Sequence, residues 1–129
     1  NITVKTAYSG KTYNTYLKVK DDTGTVAAWA KKGTYTINQA PQLEAITPSL
    51  GTGWANGPQV FTTTYIDPDG WQKIQLVYFL MNTSITKTNC LYAYYNQNSN
   101  KLYLRDNNNS SWLGGYAPGS SNIIENSLC

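Results

Sequence analysis

The chain has no histidine, a single arginine (Arg105), two glutamates and two cysteines among 129 residues. Without imidazole there is no Ser-His-Asp or Cys-His catalytic unit, no His-ligated metal centre and no histidine pH switch. Two cysteines are too few for a structural zinc site. One arginine leaves little for bidentate phosphate recognition. The ten basic and seven acidic side chains give a net charge of +3, spread without a block of one sign. The only basic runs are Lys18 with Lys20 and Lys31 with Lys32, so no nucleic-acid face is expected. The longest apolar run, Leu76–Met81, is the length of a strand and far short of a bilayer span, so membrane insertion is not expected. Asn1-Ile2-Thr3-Val4-Lys5 carries neither an initiator methionine nor a signal-peptide pattern, which points to a processed, excised or partial chain.

Catalytic candidates are correspondingly thin. Glu44 and Glu125 are the best acid–base pair available, and Gly10-Lys11-Thr12 imitates a phosphate loop until the glycine required five positions before Gly10 proves to be Lys5. The expectation is a protein without enzymatic activity and without a cofactor. Asp21-Asp22 and Asp67 with Asp69 could offer oxygens to calcium, but Asp and Gly are also what tight turns require, so no metal site is assigned.

What the chain does have is Tyr, Thr, Val and Ile, broken by Gly, Asn, Asp and Pro every eight to twelve residues. That is the pattern of an all-β, antiparallel sandwich. Residues 12–20 alternate Tyr13, Thr15, Leu17 and Val19 against Asn14, Tyr16, Lys18 and Lys20, a half-buried strand turned by Asp21-Asp22-Thr23-Gly24. Residues 26–31 and 33–38 are expected as two further short strands before the joint Gln39-Ala40-Pro41. Strands are also expected at residues 43–46, 59–66, 74–81, 89–95 and 101–105, with a last one near residues 123–129. Residues 74–81, apolar on both faces, are expected to form the central and most buried strand. A Gly-rich loop around Gly51 and Gly53 and a long polar loop over residues 106–122 complete the reading.

Cys90 and Cys129 fall in different expected strands. A disulfide between them would close a loop of about 40 residues, worth about 4 kcal/mol on the chain-entropy account, against a domain's net 5 to 15 kcal/mol. The bonded reading implies an oxidising compartment, and two buried free thiols in a cytosolic protein are the alternative.

Several motifs of residues 41–129 resemble the first part of an Ig-like or fibronectin-type repeat, of the kind found in tandem in large secreted and surface proteins of bacteria. They are Pro48-Ser49 with the Gly-rich loop, Phe61-Thr62-Thr63-Thr64-Tyr65, Asp67-Pro68-Asp69-Gly70-Trp71, Val77-Tyr78-Phe79-Leu80-Met81-Asn82, Cys90-Leu91-Tyr92, Asn100-Lys101-Leu102-Tyr103-Leu104 and Asn126-Ser127-Leu128-Cys129. Residues 1–38, through Ala7-Tyr8-Ser9-Gly10-Lys11, Tyr16-Leu17-Lys18-Val19-Lys20-Asp21, Trp29 and Gly33-Thr34-Tyr35-Thr36-Ile37, are similar to the closing strands that would ordinarily follow Cys129. The resemblance therefore implies a permuted order: closing strands in 1–38, a linker at 39–41, and the main part of a module in 42–129. It implies an extracellular or cell-surface structural module whose partners are adjacent modules or copies of itself, a filament joined by strand complementation being the sharper form of that reading.

Four tryptophans and eleven tyrosines raise the other possibility, a carbohydrate-binding or adhesion module for surface glycans. Trp29, Tyr35, Tyr65, Tyr78 and Tyr92 fall on expected strands, where core packing and cross-strand pairing explain them. Trp54, Trp71, Trp112 and Tyr116 fall in expected loops and are the candidate ligand-binding residues. Asn82-Thr83-Ser84, Asn108-Asn109-Ser110 and Asn109-Ser110-Ser111 match the N-glycosylation pattern, which is weak information in a chain so rich in asparagine.

Overall fold

The computed structural model describes residues 1–129, the side chain of Thr6 excepted. The protein is all-β, as the turn spacing and strand composition predict: eight antiparallel strands and two single-turn 3-10 segments at Thr6–Tyr8 and Trp71–Lys73. The strands are β1 (Lys11–Lys20), β2 (Val26–Ile37), β3 (Gln42–Thr47), β4 (Thr62–Ile66), β5 (Leu76–Met81), β6 (Leu91–Asn96), β7 (Lys101–Arg105) and β8 (Trp112–Tyr116). They form two two-stranded sheets, β1-β2 and β3-β4, and one four-stranded meander in the order β5-β6-β7-β8.

The first hairpin follows directly from its sequence. Tyr13 pairs with Tyr35 and Leu17 with Ala30. At the tip the Asp21 carboxylate accepts the Thr23 hydroxyl and the Thr25 amide, both at 2.7 Å, while Gly24 takes a φ of +96° that side chains resist. The two short strands expected at 26–31 and 33–38 are one long strand. Thr15 faces Gly33 and Tyr16 faces Lys31, so Lys32 is accommodated as a bulge rather than a break.

Three other expectations are corrected. Residues 106–122 are not all loop, because Trp112–Tyr116 pairs with β7, Leu104 opposite Leu113 and Arg105 opposite Trp112. Residues 123–129 form no strand and Cys90 lies just before β6, so neither cysteine is on a strand. The segment read as the central, buried strand is an edge: β5 pairs only with β6, which occupies the inner position.

The β3-β4 sheet lies against one face of the meander. Phe61 meets Phe79 with ring centroids 5.4 Å apart, and the Tyr65 hydroxyl donates to the Tyr78 carbonyl. By strand alternation that face also carries Val77, Ala93, Leu102, Leu104 and Leu113. It is a small core: across the described residues only Cys90 (5% exposed) and, on this face, Leu104 (7%) are buried apolar side chains.

A compact monomer of 14.3 kDa exposes about 6,800 Å². This chain exposes 10346 Å². The difference, roughly 3,500 Å², is surface that a self-sufficient domain of this size would have buried.

Candidate functional site

Two surfaces stand out, and both follow from the way the meander is left uncovered. The first is the outer edge of β5. Among the described residues no strand pairs with it, so the backbone groups that do not bond to β6 face outward, with the Tyr78 carbonyl already accepting from the Tyr65 hydroxyl. Alongside runs a cleft of about 680 Å³, with residues 74–78 on one wall and Leu43, Tyr65 and Asp67 on the other. A second hollow continues it past Tyr78, Phe79 and Leu80 on the β5 side and Ala45, Ile46 and Thr63 on the other. The result is a groove the length of one strand, apolar on its walls and lined on one side by an open sheet edge.

The β1-β2 hairpin is the complementary feature. Its base is clamped, since the Gln39 amide donates to Asp69 Oδ2 at 2.6 Å and Tyr8 packs on Tyr13 at 4.9 Å. Beyond the base, Leu17 is 65% exposed, Val19 64% and Trp29 67%. Trp29 and Tyr35, expected in a core, are on the surface of this arm. A lone two-stranded ribbon is at best marginally stable in water, so apolar residues displayed along one need a surface to lie on. The acidic turns are spoken for by hydrogen bonds. Asp67 Oδ1 accepts the Asp69 amide at 2.8 Å, and no cluster of three or more metal-ligating side chains occurs among the described residues.

The second surface is the outer face of the meander, opposite β3-β4. Tyr78, Tyr92, Tyr94, Tyr103 and Trp112 gather there. Tyr94 stacks on Tyr103 (4.6 Å, 14°) and meets Trp112 edge-on (4.5 Å, 89°), while Tyr78 lies over Tyr92 (6.0 Å, 24°). Two cations sit on these rings, Arg105 at 4.8 Å from the Trp112 centroid and Lys87 at 5.3 Å from that of Tyr92. Arg105 is fixed from behind: Nε donates to Asn109 Oδ1 and Nη2 to the Asn109 carbonyl, both at 2.7 Å. The turn that presents Asn109 is built on Asp106, whose carboxylate accepts the Ser110 amide (2.7 Å) and hydroxyl and the Ser111 amide (3.0 Å). Those bonds, the Ser110 hydroxyl foremost, hold the Asp106 carboxyl below its ordinary value of 3.8, and Arg105 adds to the effect. Burial raises the Tyr94 phenol above 10.0, helped by Tyr103 and Tyr78, so it stays a neutral donor at physiological pH.

Of the four loop aromatics singled out from the sequence, Trp112 and Tyr116 are on β8. Trp54 lies in a separate hollow with Leu50, Phe61 and Met81 and is 88% exposed, and Trp71 is on the 3-10 turn after Gly70. The four share no ring contact among the described residues. The aromatics that do converge are the strand tyrosines, whose period-two positions signal one shared face without saying whether it is covered.

Cys90 and Cys129 are free thiols, the first buried and the second exposed. Burial pushes the Cys129 thiol above its ordinary value of 9.0, and Cys90 contributes to the rise. The C-terminal segment is held by other means: Asn126 Nδ2 donates to the Arg105 carbonyl at 2.9 Å, and Asn126 Oδ1 accepts the Leu128 amide at 2.8 Å.

No protein-family model, curated protein or solved structure matches this chain.

Proposed function

We propose that the chain is a non-enzymatic structural module of a repetitive extracellular or cell-surface protein, an Ig-like sandwich completed by closing strands from a neighbouring module or subunit. The observation that carries this reading is the unpaired edge of β5 beside an apolar, strand-length groove, in a chain that also displays an uncovered hairpin.

The topology suits that completion. In a variable-type Ig sandwich the sheet order places the closing hairpin on one edge of the strand that opens the second sheet, and the two extra strands on its other edge. Here β3 and β4 take the opening positions and β5 the next one, with β6 and β7 on its inner side. The place left empty is the one a closing hairpin fills. β1-β2 is such a hairpin, standing before these strands in sequence instead of after them. Donation from one copy or module to the next is a head-to-tail contact that propagates as a fibre or array unless it closes into a ring.

The missing burial has the right size. When every unit donates once and accepts once, each joint must cover the roughly 3,500 Å² by which one chain exceeds a compact monomer, within the 2,000–5,000 Å² of obligate interfaces. In the oxidising compartment this reading implies, a bond between the Cys90 and Cys129 thiols would tie residues 123–129 to the start of β6. Mass mapping of protein purified without reductant is expected to find that bond, and two alkylatable thiols in such protein would count against the compartment.

The deciding measurement is native mass by light scattering at micromolar concentration, with small-angle scattering for shape. Multimers, or a chain much more extended than its mass allows, are expected. A compact, monodisperse 14.3 kDa monomer with the hairpin packed on its own chain would end the reading.

A further inference from the structure

Apart from Tyr78, which also lines the groove, the aromatic face of the meander is not needed for strand completion, because the β3-β4 layer uses the opposite face of the same sheet. Its chemistry is distinctive. The strands β5 to β8 contain no Asp or Glu, while Lys101 and Arg105 are on the ring-bearing side by alternation and Lys87 leans over Tyr92. Arg105 spends two of its five N–H groups on Asn109 and presents the remaining three with no acceptor among the described residues. A guanidinium held rigid over an indole, next to a cluster of phenol rings, is a surface for a flat, hydroxylated and negatively charged ligand.

We propose that this face binds an acidic polysaccharide. Pyranose rings lay their C–H faces on Tyr78 and Tyr92, phenol hydroxyls meet the sugar hydroxyls, and uronate carboxylates pair with Arg105 and Lys87. Charge decides against the hairpin of another copy as occupant. That arm carries Lys11, Lys18, Lys20, Lys31 and Lys32 and would bring like charge to a cationic face. Single-stranded nucleic acid is the less suitable polyanion, because it needs cations tracking a phosphate at each nucleotide, and here Arg105 and Lys87 are seated on rings at one end of the cluster while Lys101 stands alone at the other.

The test uses the full chain in affinity electrophoresis and calorimetry with polygalacturonate, its fully methyl-esterified form and a thymidine oligonucleotide. Polygalacturonate is expected to retard the protein in a salt-dependent manner and to bind at least tenfold more tightly than the esterified polymer. Arg105→Ala and Tyr92→Ala should each cost tenfold or more. Lys87→Ala, at an exposed position outside the strands, should cost several-fold with an unchanged circular dichroism spectrum, which separates ligand contact from folding. No retardation, equal binding of the esterified polymer, tighter binding of the oligonucleotide, or unaltered affinity in Lys87→Ala together with Arg105→Ala would overturn the proposal.

Discussion

Asp106 shows how much order one side chain can impose in a chain with few charges. Its carboxylate satisfies the amides of Ser110 and Ser111 and so closes the β7-β8 turn, the turn holds Asn109 at a φ of +55°, and Asn109 holds Arg105 over Trp112. The folded-state value of this carboxyl lies below 3.8, so the turn's contribution is complete above that value and is lost as the pH falls through the lower, folded one. Asp21 behaves alike at the first hairpin, held down mainly by the Thr23 hydroxyl and then by the Thr25 amide. Amide shifts of Ser110 and Ser111 are therefore expected to titrate with a midpoint below 3.8. In Asp106→Asn that titration should vanish, and Arg105 should lose its fixed orientation, visible as collapse of its Nε resonance to the free-side-chain position. A midpoint at or above the ordinary carboxyl value would mean that the turn is not closed in solution.

Among the elements, β8 carries the least expected architecture. Trp112-Leu113-Gly114-Gly115-Tyr116 looks like loop because two adjacent glycines weaken a strand, yet they are what allows this one: φ is +97° at Gly114 and +84° at Gly115, with Leu102 and Tyr103 shifting register opposite them. A Cβ on Gly114 would also press on Ile124, 2.9 Å from Cγ1. Gly114→Ala is expected to cost about 1–3 kcal/mol, read as a lower urea midpoint, with the strain of a positive φ compounding the clash. The β1-β2 hairpin was legible because strict alternation and an Asp-Asp-Thr-Gly turn agree. β5 was legible as a strand but not as an edge. Apolar residues on both its faces report what packs above and below, with Phe79 under Phe61 and Tyr78 among the tyrosines, and carry no information about neighbours in the plane of the sheet. The same gap hid the converging tyrosines: alternation groups Tyr92 with Tyr94 and aligns them with Tyr103, but an aromatic face reads alike whether it is core or surface.

At the scale of the whole molecule, the surplus of exposed surface and the head-to-tail character of the proposed joint lead to a test that a symmetric dimer would not pass. Leu17 and Val19 point to one side of β1 and are both largely exposed, at the part of the hairpin farthest from its clamp at Asp69. Leu17→Asp with Val19→Asp places two charges where the arm would enter the apolar groove, at a cost of several kcal/mol per joint, while leaving β5 and its cleft untouched. Such a chain can accept a neighbour's hairpin but cannot donate its own. Added to the unaltered protein, it should cap growing ends, so mean assembly mass should fall steeply at substoichiometric amounts, with the shortest species ending in one altered chain. An isologous dimer would respond differently. Both of its halves use the same patch, so the altered chain would be excluded from dimers and leave the unaltered population at its original mass. Mixing at molar ratios from about one in twenty to one in one, followed by light scattering, separates the two. Truncation in proportion to the altered chain is the expected result, and indifference to it would remove the hairpin from the joint.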